Sequence, residues 1–277
     1  MFLCYGKNGE SLCKRINIIL HEYRLDKFVI ADNNLPNTEK ISDIVKDYIE
    51  NNIVDVIDII GKSYDYSEFY EIMYEQYKDK CEWLLFFDFD EYLRMHSEDG
   101  KIIGIKEYLS NKIFDKCEAI VFNWLMYDDN NLVYYDNRPT IERFPNPLYR
   151  HGANGYVKTM VRGKLNKTIF TAFKSCHCPN KEVTTCDSIG KIHYNLKDSI
   201  NPPLFKYAYL MHFNTRTAEE FVIKAKRGYA GNRYPKFNDR VKSFFNKNNF
   251  TEEKLAFFER SFNQSFDDIR RMYNKEK

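Results

Sequence analysis

The chain has 277 residues, of which 43% are hydrophobic and 30% charged, and a net charge of +2. This is the profile of a globular protein long enough to bury a substantial core. So small a net charge, with no lysine/arginine stripe interleaved with aromatics, excludes a nucleic-acid binder working through a basic face.

Four short apolar runs, residues 1–5, 27–31, 54–60 and 82–87, have strand length, and helical spacing separates them. Ile41, Ile44, Val45, Tyr48 and Ile49 form one apolar stripe, and the Tyr, Phe and Met residues at 66, 69, 70, 73, 74 and 77 form another. Both predict helices with a core-facing side rather than a cofactor surface. Asp65 with Glu68, and Thr217 with Glu220, have capping-box spacing at two helix starts. Alternating strands and helices predict an α/β fold, a mainly parallel, doubly wound sheet with flanking helices. Ligands of such sheets bind along the carboxyl edge, so the polar residues after each run matter most. These are Gly6-Lys7-Asn8-Gly9, Asp32-Asn33-Asn34 and Asp88-Phe89-Asp90. The first matches no glycine-rich phosphate motif, and either of the first two also reads as an ordinary turn.

Beyond residue 95 the pattern loosens into a predicted helix at 105–112, a strand at 117–129 and short segments at 156–163 and 169–175. From Thr217 the chain reads as helical, with a break near 231–239 and a last helix after Thr251. No linker or repeat interrupts it. One domain is expected over 1–277, with a nucleotide-binding half at 1–95, an acceptor and metal half at 96–230 and a C-terminal helical extension at 231–277.

The run WLLFFDFDEYL, residues 83–93, drives a buried strand into three carboxylates. If the segment stays extended, Asp88 and Asp90 face one ion while Phe89 turns back to the core. Two such acids suit Mg2+ or Mn2+ carrying a substrate's phosphates. The plain alternative is a capped strand end with solvated acids. A haloacid-dehalogenase phosphatase also uses Asp-x-Asp, but expects Thr or Val where Tyr92 stands.

The seven cysteines, at 4, 13, 81, 117, 176, 178 and 186, cannot all pair, which favours a reducing compartment. Cys176, His177, Cys178, Cys186 and His193 could hold structural zinc, although their spacing matches no common zinc pattern. No apolar run reaches the length of a membrane span, and a cytoplasmic protein without its own anchor is expected.

WLLFFDFDEYL resembles the Asp-x-Asp-Glu signature of family 92 glycosyltransferases (the DUF23 group) and their bacterial relatives grouped with family 2. KFVIADNN (27–34) and KNGE (7–10) are similar to that family's upstream segments, although Gly9 interrupts the second. YVKTMVRG (156–163), HCP (177–179) and HFNTRTAEEFVIKAKRG (212–228) are similar to its downstream blocks. The resemblance implies a GT-A fold and metal-dependent transfer of a sugar, with inversion. The donor would be a nucleotide-diphosphate sugar, a UDP-sugar foremost, and the acceptor a hydroxyl of a glycan or lipid-linked molecule. It is compatible with peripheral membrane association and implies no nucleic acid. Asp88 and Asp90 would hold Mn2+ or Mg2+, with His212 or His177 as a further ligand, since Mn2+ tolerates one imidazole among oxygens. Asp32 and Asn33 would contact the nucleoside. Lys224 and Arg227, three apart on a helix, would bind diphosphate unless they form a solvated face. Inversion needs a base, for which Glu91, Asp128 and Asp129 are the candidates. A non-catalytic nucleotide-sugar or glycan-binding protein with a degenerate site is the alternative.

Overall fold

In a computed structural model, the described residues are 2–6, 26–32, 40–59, 65–171, 177–227, 237–246 and 249–274; for 2–6, 66, 227, 237–240 and 274 only the backbone is described. Lys7, Asn8, Gly9, Glu10, Asn33, Asn34 and Cys176 lie outside the described residues, as does the Arg227 side chain. The chain forms two compact units, Met1–Leu125 with Tyr149–His212, and Met126–Leu148 with Phe213–Lys277. These boundaries differ from the expected divisions at 95 and 230.

The strands are β1 (Phe2–Gly6), β2 (Phe28–Asp32), β3 (Val54–Asp58), β4 (Trp83–Asp88), β5 (Glu91–Met95), β6 (Ala119–Met126), β7 (Val157–Arg162), β8 (Thr185–Cys186), β9 (Ile192–His193) and β10 (Ala208–His212). Their order is β3-β2-β1-β4-β7-β6-β10-β5, with β8 beside β6 and β9 beside β8. The first four are parallel. Then β7 runs antiparallel to β4 and β6, and β5 antiparallel to β10. The sheet is therefore mixed, not mainly parallel. Parallel neighbours need long crossovers, and only the first ninety residues carry long helical stretches between apolar runs.

Register places Gly6 opposite Asp32, Asp32 opposite Asp58 and Tyr5 opposite Asp88, so the carboxyl ends of four strands share one edge. Behind that edge Leu84, Phe86 and Val29 pack on the helix Tyr66–Tyr77 through Phe69, Tyr70, Met73 and Tyr74. Tyr70, Phe86 and Phe170 form a triangle with centroids 4.9–5.6 Å apart. The helix starts where Asp65 accepts from the backbone N–H groups of Ser67 and Glu68. Burying each such large side chain contributes about 1.5–3 kcal/mol. Where β7 ends on the start of β4, a Cβ at Gly163 would stand 2.0 Å from the Cys81 carbonyl oxygen, so no larger residue fits.

The stripe at 41–49 forms two short helices, Ile41–Ile44 and Lys46–Glu50, burying Ile41 and Val45 and leaving Ile49 exposed. The helix expected at 105–112 is Ile105–Leu109, followed by a 3-10 turn at Lys112–Phe114, where Asn111 accepts from the Ile113 N–H. The second unit packs Phe221, Phe244, Phe258 and Ile269 from the helices Ala218–Arg227, Phe237–Phe244, Glu252–Phe262 and Asp267–Asn274. Its capping box is reciprocal: Glu220 N–H donates to Thr217 Oγ1 (3.1 Å), and Thr217 N–H to Glu220 Oε2 (3.4 Å). Arg143, buried, adds a bidentate pair to Glu220 at 2.6 and 3.2 Å. Asn263, left-handed at φ 51°, divides the expected last helix in two.

Cys117 and Cys186 form a disulfide, which removes the cysteine argument for a reducing compartment. The zinc reading fails with it. Cys186 is spent in the disulfide, His193 Nε2 lies 2.8 Å from Asp187 Oδ2, and Cys178 donates to the Lys197 carbonyl.

Candidate active site

Strand β4 is buried from Trp83 to Phe87, and its end delivers Asp88, half-buried, to the carboxyl edge. The chain does not stay extended there. Phe89 and Asp90 form a turn and Glu91 opens β5, so Phe89 is half-buried rather than a core residue. The turn is held from inside: Glu91 is fully buried, and its Oε2 accepts the Asp88 N–H at 2.8 Å. Glu91 is thus neither a solvated acid nor exposed to an incoming hydroxyl. Burial, with the nearby Asp88 and Asp90 charges, pushes its carboxyl up to about 8 against the pull of Lys158.

Lys158 on β7 is the principal residue that the sequence leaves unassigned. Lys158 is 1% exposed, and its ammonium stands 2.9 Å from Asp88 Oδ2, 4.0 Å from Glu91 Oε1 and 5.9 Å from the Tyr70 ring. A lysine inside the apolar run YVKTMVRG is the available signal, because a charge facing a core needs a partner.

The two histidines reach this region by different routes. Antiparallel pairing of β10 with β5 sets His212 opposite Glu91, and His212 Nε2 lies 3.7 Å from Asp90 Oδ1. The His177 Nδ1 lies 3.1 Å from the Val157 carbonyl, which can only accept, so Nδ1 carries the hydrogen and Nε2 the lone pair. Thr159, next to Lys158, donates to the His177 carbonyl at 2.6 Å. Burial and then Lys158 lower His177 to about 4, keeping its ring neutral, while Asp88 acts in the opposite direction. Trp124 on β6 packs against both rings, at 4.3 Å from His212 and 5.3 Å from His177. Asn123, 2% exposed, steadies β6: its Nδ2 donates to the carbonyls of Asn154, Gly155 and Ile200, and its Oδ1 accepts from Leu204 N–H.

Asp32 lies on the same edge but is 2% exposed, and its Oδ2 accepts the Ile41 N–H at 2.9 Å. A cleft of about 430 Å3 opens there, with Asp32, Asp58, Lys40 and Tyr77 in its walls. A larger cavity, about 860 Å3, opens at the amino ends of β2 and β4, beside Lys27 and Trp83, away from the carboxylates.

The remaining candidates belong to the second unit. Asp129 is buried against Lys254, with Nζ 2.6 Å from Oδ2, and burial raises the acid and lowers the amine despite their mutual attraction. That is a structural ion pair. Asp128 Oδ1 accepts from Asn130 N–H and Asn146 Nδ2, closing its own turn. Lys224 Nζ is bonded to Asn214 Oδ1 at 2.8 Å.

Among the described residues, no group of three or more of His, Cys, Asp and Glu could hold a metal ion. Mg2+ and Mn2+ working on phosphates take only one or two protein carboxylates. Of the expected metal ligands, Asp90 and His212 come together, at 3.7 Å, whereas Asp88 Oδ2 accepts from the Lys158 ammonium.

No family profile and no curated protein matches this chain. Among solved structures, S. aureus TarS aligns over 88% of this chain and 42% of its own, with 14% identity and a TM-score of 0.39. Its 1–349 fragment aligns over 88% and 70%, with 13% identity and a TM-score of 0.33. Mannose-1-phosphate geranyltransferase from Thermus thermophilus aligns over 59% and 50%, with 11% identity and a TM-score of 0.28. The chain thus spans less than half the length of intact TarS, and at these scores the likenesses are distant. No helix among the described residues is long and apolar enough to cross a membrane.

Proposed function

We propose that the chain is a metal-dependent inverting glycosyltransferase of GT-A type. It moves a sugar from a nucleotide-diphosphate sugar, a UDP-sugar foremost, to a hydroxyl of a glycan or lipid-linked acceptor, in glycan or cell-surface polysaccharide synthesis. The observation that carries the reading is the Asp88-Phe89-Asp90 turn at the carboxyl edge of the four parallel strands of a mixed sheet, braced by buried Glu91 and facing His212. The family resemblance of residues 83–93 supplies the cargo.

Asp88, Asp90 and His212 would hold Mn2+ or Mg2+, which when bound supplies charge neutralisation for the departing nucleoside diphosphate. Glu91 fixes the main chain under Asp88, and Lys158 fixes its side chain. Neutral His177 and the Trp124 ring wall the site beside His212. Asp32 and Asp58 mark the edge where the nucleoside would lie.

Asp90→Asn tests the assignment. Removing one electrostatic ligand from the reacting diphosphate should lower turnover of UDP-sugars by about 100-fold or more, with the unfolding temperature little changed. Unchanged turnover would sink the reading. No turnover by the intact protein, alongside Mn2+-dependent stabilisation by a nucleotide sugar, selects the binding-protein alternative. Screening UDP-, GDP- and CMP-sugars by thermal shift identifies the donor.

A further inference from the structure

We propose that Tyr156, backed by Trp124 and His177, forms the acceptor subsite, where an uncharged sugar residue of a glycan lays one side of its ring on the Tyr156 face. The acceptor role rests on the glycosyltransferase reading, whereas the binding of a sugar rests on the aromatic patch itself. Trp124 N–H donates to the Tyr156 carbonyl at 2.8 Å, which carries the pairing of β6 and β7 one step beyond Asn123 and Val157. The two rings therefore stand opposite each other, with centroids 5.5 Å apart and planes inclined at 52°. Alternation along the strand puts Tyr156 on the same face as Lys158. From Tyr156 the patch runs inward: His177 lies 6.1 Å from Tyr156 and 5.3 Å from Trp124, and Trp124 lies 4.3 Å from His212, which faces Asp90. All of these residues belong to the first unit.

Tyr156 is 45% exposed while Trp124 and His177 are half-buried, so the outer ring is open and the inner two support it. The face of an aromatic ring carries partial negative charge and attracts the positively polarised C–H groups on one side of a sugar ring, leaving the hydroxyls to polar neighbours. Here the neighbours are Ser199, bridged to Tyr156, and Asp198, whose carbonyl accepts the Val157 N–H and whose charge is felt at His177. The charges acting on the His177 ring are the Lys158 ammonium, already bonded to Asp88, and the carboxylates of Asp88 and Asp198. Such surroundings repel an acceptor that carries phosphate and suit an uncharged sugar, whose hydroxyls can donate to Asp198.

The test is sugar binding to the full chain without donor, read by saturation-transfer NMR with lactose, cellobiose, chitobiose and mannobiose, and with glycerol phosphate as the anionic comparison. At least one disaccharide should bind. Tyr156→Ala should weaken that binding about tenfold, whereas Tyr156→Phe, which keeps the ring, should retain it. In transfer from a UDP-sugar the same Ala variant should raise the acceptor KM about tenfold, and the Phe variant should restore it. Should Tyr156→Ala not fold, Tyr156→Leu, which keeps the bulk without the ring, is read in its place. Glycerol phosphate bound in preference to every disaccharide, no disaccharide bound by the intact protein, or sugar binding that loss of the ring leaves unchanged overturns the inference. Transfer with an unaltered acceptor KM in the ring-less variant refutes the subsite alone; ring-dependent sugar binding without transfer from any donor refutes the glycosyltransferase reading alone.

Discussion

Glu91 turns a sequence oddity into a measurable property. Its carboxyl, buried and pushed up to about 8, favours the protonated form in the folded chain, whereas the unfolded chain ionises it near 4.5. Its contribution to stability is therefore complete below pH 4.5 and declines as the pH rises towards 8. The loss is on the order of 4 kcal/mol across that window. Glu91→Gln, which keeps the shape without the charge, should remove this slope. Urea unfolding at pH 5 and pH 8 with EDTA present checks it, and equal slopes in both proteins would disprove the account. His177 works in the opposite sense: lowered to about 4, it stabilises fully above pH 6.5 and ceases to as the pH falls through 4.

At the level of elements, the features legible in the sequence are those written in local periodicity. The Tyr-rich stripe gives the helix Tyr66–Tyr77 with its Asp65 cap, the Thr217 and Glu220 box closes on itself, and the run 83–87 is a fully buried strand. What stays hidden depends on pairing between distant segments. Nothing near Asp90 announces that β10 will lie against β5 and bring His212 beside it, and the charge of Lys158 within its strand signals a partner without saying that the partner is Asp88. The shape of the carboxylate segment is hidden too, because an extended continuation and a tight turn share the same letters until Glu91 is seen bonding back to Asp88. Asn123 shows how much such long-range polar contacts matter. Asn123→Ala would leave three carbonyls and one N–H short of a buried partner. It should cost about 3 kcal/mol, readable as a lower denaturation midpoint with an unchanged m-value.

On the scale of the whole molecule, the Cys117–Cys186 disulfide closes a loop with a sequence separation of 69 residues, and both cysteines lie in the first unit. Cross-linking so long a loop restricts the unfolded chain and should contribute about 4 kcal/mol. Dithiothreitol, or Cys117→Ser with Cys186→Ser, should lower the unfolding temperature of the oxidised protein. If reduction leaves that temperature unchanged, the pair is not formed in solution. The second unit rests on its phenylalanine core and on the Asp129–Lys254 pair, so its stability is set by contacts separate from this bridge.

The packing of β6 against the two histidines has a spectroscopic consequence. The chain has two tryptophans. Trp83 lies under the Arg162 guanidinium at the far end of β4, whereas Trp124 lies on the His212 ring. Excited indole loses energy to a paramagnetic or heavy neighbour at this range, so with Trp83 changed to Phe the intrinsic emission becomes a single optical probe beside the carboxylates. Ligand arrival can then be followed by light in an unlabelled protein, before any product is formed.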